Sequence, residues 1–94
     1  MELSEIQNAV AKIAALYPVR SIDLFGSYAD GEATRKSDVN LLIYFDEKTA
    51  SLFDLIGLKQ DIEDGINKKV DIVAGPLKEN SLLTINKKVR IYEA

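Results

Sequence analysis

Five residues in this chain have the types and spacing for phosphate and metal chemistry: Gly26, Ser27, Asp38, Asn40 and Asp71. Gly26 lacks a Cβ, so the backbone there can approach a phosphate closely and take unusual dihedrals. Ser27 adds a hydroxyl and an amide that can donate to phosphate oxygens. Ten residues later, counting Tyr28 to Ser37, come Asp38 and Asn40. Two positions apart in an extended segment, they share one face. Asp71 stands alone among Val70, Ile72 and Val73, and an acid in such a β-branched run calls for a reason. Oxygen donors on two neighbouring strands could hold Mg²⁺ against a triphosphate and so stabilise an in-line displacement. With no histidine present, Asp71 is the natural acceptor for the proton of an attacking hydroxyl.

Each piece alone has a plainer reading. Gly26-Ser27 is a common turn pair, Ser37-Asp38 could simply turn the chain into a strand, and Asp71 could pair with Lys69 or Arg90. A P-loop reading of Gly26 and Gly31 fails, because Glu32 and Ala33 follow where Lys and Ser or Thr are required.

These residues need elements to position them. Ser4 with Gln7 signals a helix start, and Ile6, Val10, Ile13 and Ala14 recur at helical spacing before Pro18. Residues 20–25 read as a strand, and Tyr28 to Ser37 as a polar loop or one helical turn. Val39 to Phe45 is a seven-residue apolar run suited to a central strand covered on both faces. Ser51 caps a helix striped by Leu55, Leu58, Ile62 and Ile66. Lys69 to Ala74 is a strand closed by Gly75-Pro76. A short helix is expected over roughly Asn80 to Asn86, with Leu82, Leu83 and Ile85 inward, then a strand from Val89 to Tyr92. Helices interleaved with strands predict an α/β (α+β) fold: a single small mixed sheet of about four strands, its helices mainly on one side. Strand order does not follow from the pattern.

Size and composition narrow the function. Ninety-four residues, 47% apolar and 29% charged, predict one domain spanning 1–94. The net charge of -3 argues against gripping long nucleic acid. With neither cysteine nor histidine, zinc sites, disulfides and Ser-His or Cys-His nucleophiles are excluded. No signal peptide or membrane span is apparent, so a cytoplasmic protein is expected. Phe53, Leu77 and Tyr92 are candidates for exposed apolar area that would suit a homodimer or a heteromeric complex.

The joint pattern resembles the active-site signature of the DNA polymerase β-like nucleotidyltransferases, Gly-Ser followed by Asp-x-Asp. The likeness extends through Val19 to Ala29, Gly31-Glu32-Ala33, Leu41-Leu42-Ile43, Val70-Asp71-Ile72-Val73 and Ile91-Tyr92-Glu93-Ala94. It is closest to the minimal nucleotidyltransferase (MNT) domains, commonly antitoxin partners of HEPN-domain toxins. The resemblance implies Mg²⁺-dependent transfer of AMP from ATP to a toxin hydroxyl, generally tyrosine. It implies that Gly26 and Ser27 bind the phosphates, and that Asp38, Asn40 and Asp71 bind metal, with Asp71 also assisting the nucleophile. Two positions depart from the family pattern. Asn40 puts a neutral amide where an acid is usual, and Asp30 stands where relatives often carry arginine, with Arg35 or Lys36 available to compensate. The Asn40 departure raises a second function, an antitoxin that neutralises its partner by binding with little or no catalysis. Transfer to a drug or an RNA end fits less well, since so short and acidic a chain offers neither a drug pocket nor a grip on RNA.

Overall fold

The computed structural model describes residues 3–34, 36–46, 48, 50–75 and 88–94. Their order is α1 (Leu3–Ala14), β1 (Val19–Phe25), α2 (Ser27–Asp30), β2 (Val39–Phe45), α3 (Leu52–Ile66), β3 (Val70–Ala74) and β4 (Lys88–Glu93). The four strands form one mixed sheet in the order β3-β2-β1-β4. β1 runs antiparallel to β2 and β4, while β2 and β3 are parallel. A parallel pair needs a crossover, and α3 supplies it.

The apolar run Val39–Phe45 becomes a central strand because both faces of it can be buried. Val39, Leu41 and Ile43 join the core with Ile22 and Leu24 of β1, Val70 of β3 and Ile91 of β4. Ile6, Val10 and Ala14 of α1 and Leu58, Ile62 and Ile66 of α3 close that core from one side of the sheet. Leu42, pointing to the other side, is also fully buried. α3 begins as its sequence requires: the Asp54 carboxylate accepts the Ser51 backbone N–H at 2.8 Å, the reciprocal half of a capping box. It ends at Asn67, which takes the left-handed conformation with φ 54°, a role asparagine fills when glycine does not.

Several expectations shift by small, explicable amounts. Ser4 lies inside α1, because Leu3 is already helical. The Ser4–Gln7 pair therefore does not mark the helix start. β1 begins at Val19 and β3 at Val70, while β4 extends to Lys88 and Glu93. Of the two readings for Tyr28 to Ser37, the helical turn is realised at its beginning as α2. The helix expected over Asn80 to Asn86 lies outside the described residues, as does Leu77. Phe53 is 84% exposed, but Tyr92 is half-buried against the core.

Two polar contacts tie distant parts of the chain together. Arg90 on β4 donates from its Nε to Asp23 on β1, a carboxylate only 5% exposed, and its Nη1 reaches Glu93 at 3.1 Å. The Asp23 hydrogen bond, ahead of opposing burial, raises the Arg90 pKa. Tyr17 donates its hydroxyl to Asp61 of α3. That bond, then burial and the nearby charges of Asp61 and Asp54, raises the Tyr17 pKa above the usual tyrosine value.

Replacing Leu41 by alanine should cost ~2–5 kcal/mol in urea unfolding, whereas Leu16→Ala, at an exposed position, should stay within ~0.5 kcal/mol. A folded-state pKa raised above the unfolded one means the Tyr17 contribution is present below the ordinary tyrosine pKa and lost as pH rises through the higher folded value. Phenolate absorbance should therefore show Tyr17 titrating late, and Asp61→Asn should bring it back toward the ordinary value.

Candidate active site

The site forms where β1 ends and β2 and β3 begin. Val39 is buried in the helix-side core, so alternation within β2 turns Asn40 toward the opposite side of the sheet, and Asp38 immediately precedes the strand. In the parallel β2–β3 pair Asn40 is the register partner of Asp71, and laterally paired residues point to the same side. The structure thus brings Asn40 and Asp71 side by side, with Asp38 at the entrance to β2. Asp71 is exposed and Asp38 and Asn40 are half-buried.

Local bonds fix this arrangement. The Val39 N–H donates to the Lys69 carbonyl at 3.1 Å, joining the starts of β2 and β3. Glu63 of α3 accepts the Val70 N–H at 3.0 Å, securing the residue before Asp71. Ahead of Asp38, Thr34 and Ser37 close a small turn: the Thr34 N–H donates to Ser37 Oγ at 2.8 Å and the Ser37 N–H to the Thr34 carbonyl at 3.1 Å. The turn aims the chain into the strand.

Gly26 closes the other wall. It pairs onto this corner because Phe25, its neighbour, is the β1 partner of Asn40. Its φ of 80° favours glycine, and a Cβ there would collide with the side-chain nitrogen of Asn40. The glycine turn and the Asn40 amide are therefore in direct contact. The Gly26 carbonyl accepts the Ala29 and Asp30 N–H groups, each at 3.0 Å, which folds Ser27–Asp30 into the single turn of α2.

Lys68, which the sequence reading passed over, places its ammonium 5.7 Å from the centroid of Tyr28, one residue beyond Ser27. Its signal in the sequence was a pair of lysines immediately before Val70-Asp71. The alternative pairing of Asp71 with Arg90 does not occur, since β3 and β4 are opposite edges of the sheet and Arg90 is held by Asp23 and Glu93. No ion pair joins Asp71 to Lys69 among the described residues. Asp30 is exposed on α2, Lys36 is exposed in the loop, and Arg35 lies outside the described residues.

Among the described residues, no three His, Cys, Asp or Glu side chains are grouped to hold a metal ion. The corner has two carboxylates and one amide. All three are hard oxygen donors of the kind magnesium takes. A cavity of about 550 Å³, lined by residues including Tyr17, Arg20, Tyr44, Gly75 and Arg90, opens instead where β1 begins and β2 ends. It contains none of the five residues singled out by sequence.

Residues 7–93, which include the glycine turn and the paired strands, match the family model described as "Polymerase beta, Nucleotidyltransferase". The chain belongs to this family. A Methanocaldococcus jannaschii protein, named provisionally as a protein adenylyltransferase, is 36% identical over 73 residues, 78% of this chain and 77% of the relative. The protein adenylyltransferase MntA of Thermococcus cleftensis is 35% identical over 77 residues, 78% and 77% of the two chains. Among solved structures, a complex of a tri-AMPylated Shewanella oneidensis HEPN toxin with its MNT antitoxin superposes with a TM-score of 0.64 at 18% identity, covering 95% of this chain and 71% of that one. That likeness shows a shared fold. Among the described residues no helix is long and apolar enough to cross a membrane.

Gly26→Ala should cost ~1–3 kcal/mol through its left-handed backbone. It should also displace the Asn40 side chain, read as a shift of that amide's resonances in a nitrogen–proton correlation spectrum. A matched change at the equally positive but open Gly31 should leave the Asn40 resonances in place.

Proposed function

We propose that this chain is a Mg²⁺-dependent protein adenylyltransferase that moves AMP from ATP to a tyrosine hydroxyl of a HEPN-domain toxin and so acts as its antitoxin. The observation that carries the reading is the side-by-side register of Asn40 and Asp71 opposite the Gly26–Ser27 turn. Support also comes from the relatives' names and from the AMPylated toxin in the similar complex. Three exposed apolar residues at the start of α3, Leu52, Phe53 and Ile56, suit a protein partner or a second copy of the chain. One domain over 1–94, working in the cytoplasm, completes the proposal.

In this mechanism Gly26 lets the backbone approach the triphosphate, and the Ser27 hydroxyl and amide donate to its oxygens. Asp38, the Asn40 carbonyl oxygen and Asp71 are the ligands that would hold magnesium, which when bound offsets phosphate charge as the displacement proceeds. The acceptor oxygen attacks the α-phosphorus, the bond to the bridging oxygen of the β-phosphate breaks, and pyrophosphate departs. Asp71 takes the acceptor's proton. Lys68, beside Tyr28, adds positive charge near the same turn.

Asn40 itself favours a second reading. A neutral amide binds a hard cation less firmly than a carboxylate, so the domain would serve mainly by masking its partner.

Incubation with α-labelled ATP, Mg²⁺ and a HEPN partner should label the partner, and Asp38→Asn or Asp71→Asn should lower transfer at least ~100-fold, consistent with the loss of a ligand group. Asn40→Asp should raise it ~10–100-fold. An unlabelled partner that is nonetheless inhibited would overturn the transferase reading in favour of masking.

A further inference from the structure

We infer that position 40 makes this a one-cation site, in which the protein retains a single divalent ion and retains it together with nucleotide. The inference rests on the transferase reading and deepens it. Two cations serving one displacement sit ~3.5–4 Å apart, and holding them so close calls for an anionic group that lends an oxygen to each. A carboxylate has two such oxygens. An amide has one, because its NH₂ branch only donates.

Asn40 occupies the position where sharing would have to happen. Its lateral neighbours are Phe25 on β1 and Asp71 on β3, with Asp38 two residues earlier, just ahead of the strand. The apolar neighbour offers no ligand, so any ion between the strands depends on residues 38, 40 and 71. The residue in the middle is the one unable to bridge. The amide also lies against Gly26, in space that a Cβ there would take.

Charge leads to the same conclusion. Asp38 and Asp71 together offset one divalent ion, and no third acid joins them among the described residues. A second ion would have its charge balanced by the triphosphate alone. Without the triphosphate even one ion has only two carboxylates and one amide from these positions, short of the six ligands magnesium takes, so nucleotide and metal should be retained together. The amide's NH₂ branch, the part nearest Gly26, is meanwhile a neutral donor at the glycine turn.

The test is equilibrium dialysis with Mn²⁺ and a non-hydrolysable ATP analogue, counting manganese and nucleotide retained by the protein, with free Mn²⁺ read by electron paramagnetic resonance. The wild-type chain should retain little Mn²⁺ alone and one Mn²⁺ per nucleotide when the analogue is present. Asn40→Asp should retain two per nucleotide, with a circular dichroism spectrum matching the wild type. Two Mn²⁺ per nucleotide in the wild-type chain would overturn the inference and leave the transferase reading standing. One per nucleotide in a folded Asn40→Asp variant would show that position 40 is not the determinant. No nucleotide retained by either protein would remove both readings together.

Discussion

Double-sided pairing of β2 is the constraint on which everything else depends. Its antiparallel bonds to β1 bring Phe25, and with it the Gly26 turn, alongside Asn40. Its parallel bonds to β3 place Asp71 on the other flank. A slip of one residue in either ladder would reverse the facing of one partner relative to the other. In the β2–β3 ladder such a slip would turn Asp71 toward the helix-side core, where an unpaired charge is costly. Burial opposes such a slip, because Val39, Leu41 and Ile43 must face the helices while Leu42 fills the other side. The apolar pattern that stabilises the sheet therefore also sets the spacing of the polar atoms at its end.

Much of this was legible in the residues. Val39–Phe45 could be read as a central strand from length and composition, and it is one to the residue. Ser51 signalled the start of α3, and of the stripe Leu55, Leu58, Ile62 and Ile66 all but the half-buried Leu55 form its buried face. Strand order was not legible, since alternation fixes which face a residue occupies but not which strand lies beside it. The Asp71–Arg90 alternative failed for that reason: the two residues sit on opposite edges, and only the ladder reveals it. Ser4 misled because a capping pattern three residues long occurs readily within a helix as well as at its start. The roles of Glu63 and Lys68 were hidden because each depends on how the α3–β3 connection folds back, and neither has a periodic signature.

Specificity in this small site comes from backbone form as much as from side chains. Gly26 is irreplaceable on two counts, its positive φ and its contact with Asn40, whereas Gly31 has only the first. Membership of the polymerase β-like family accounts for the glycine and the paired strands. The amide at position 40 stands where the resemblance to the family signature implies an acid.

The bond between Arg90 and Asp23 has a consequence for how the sheet closes. The two residues lie 67 positions apart, on β4 and β1. Until β4 docks, β1 has an unclothed edge and an acid without the counter-ion that lets it go under. Burial of that acid and closure of the sheet edge therefore belong to one event.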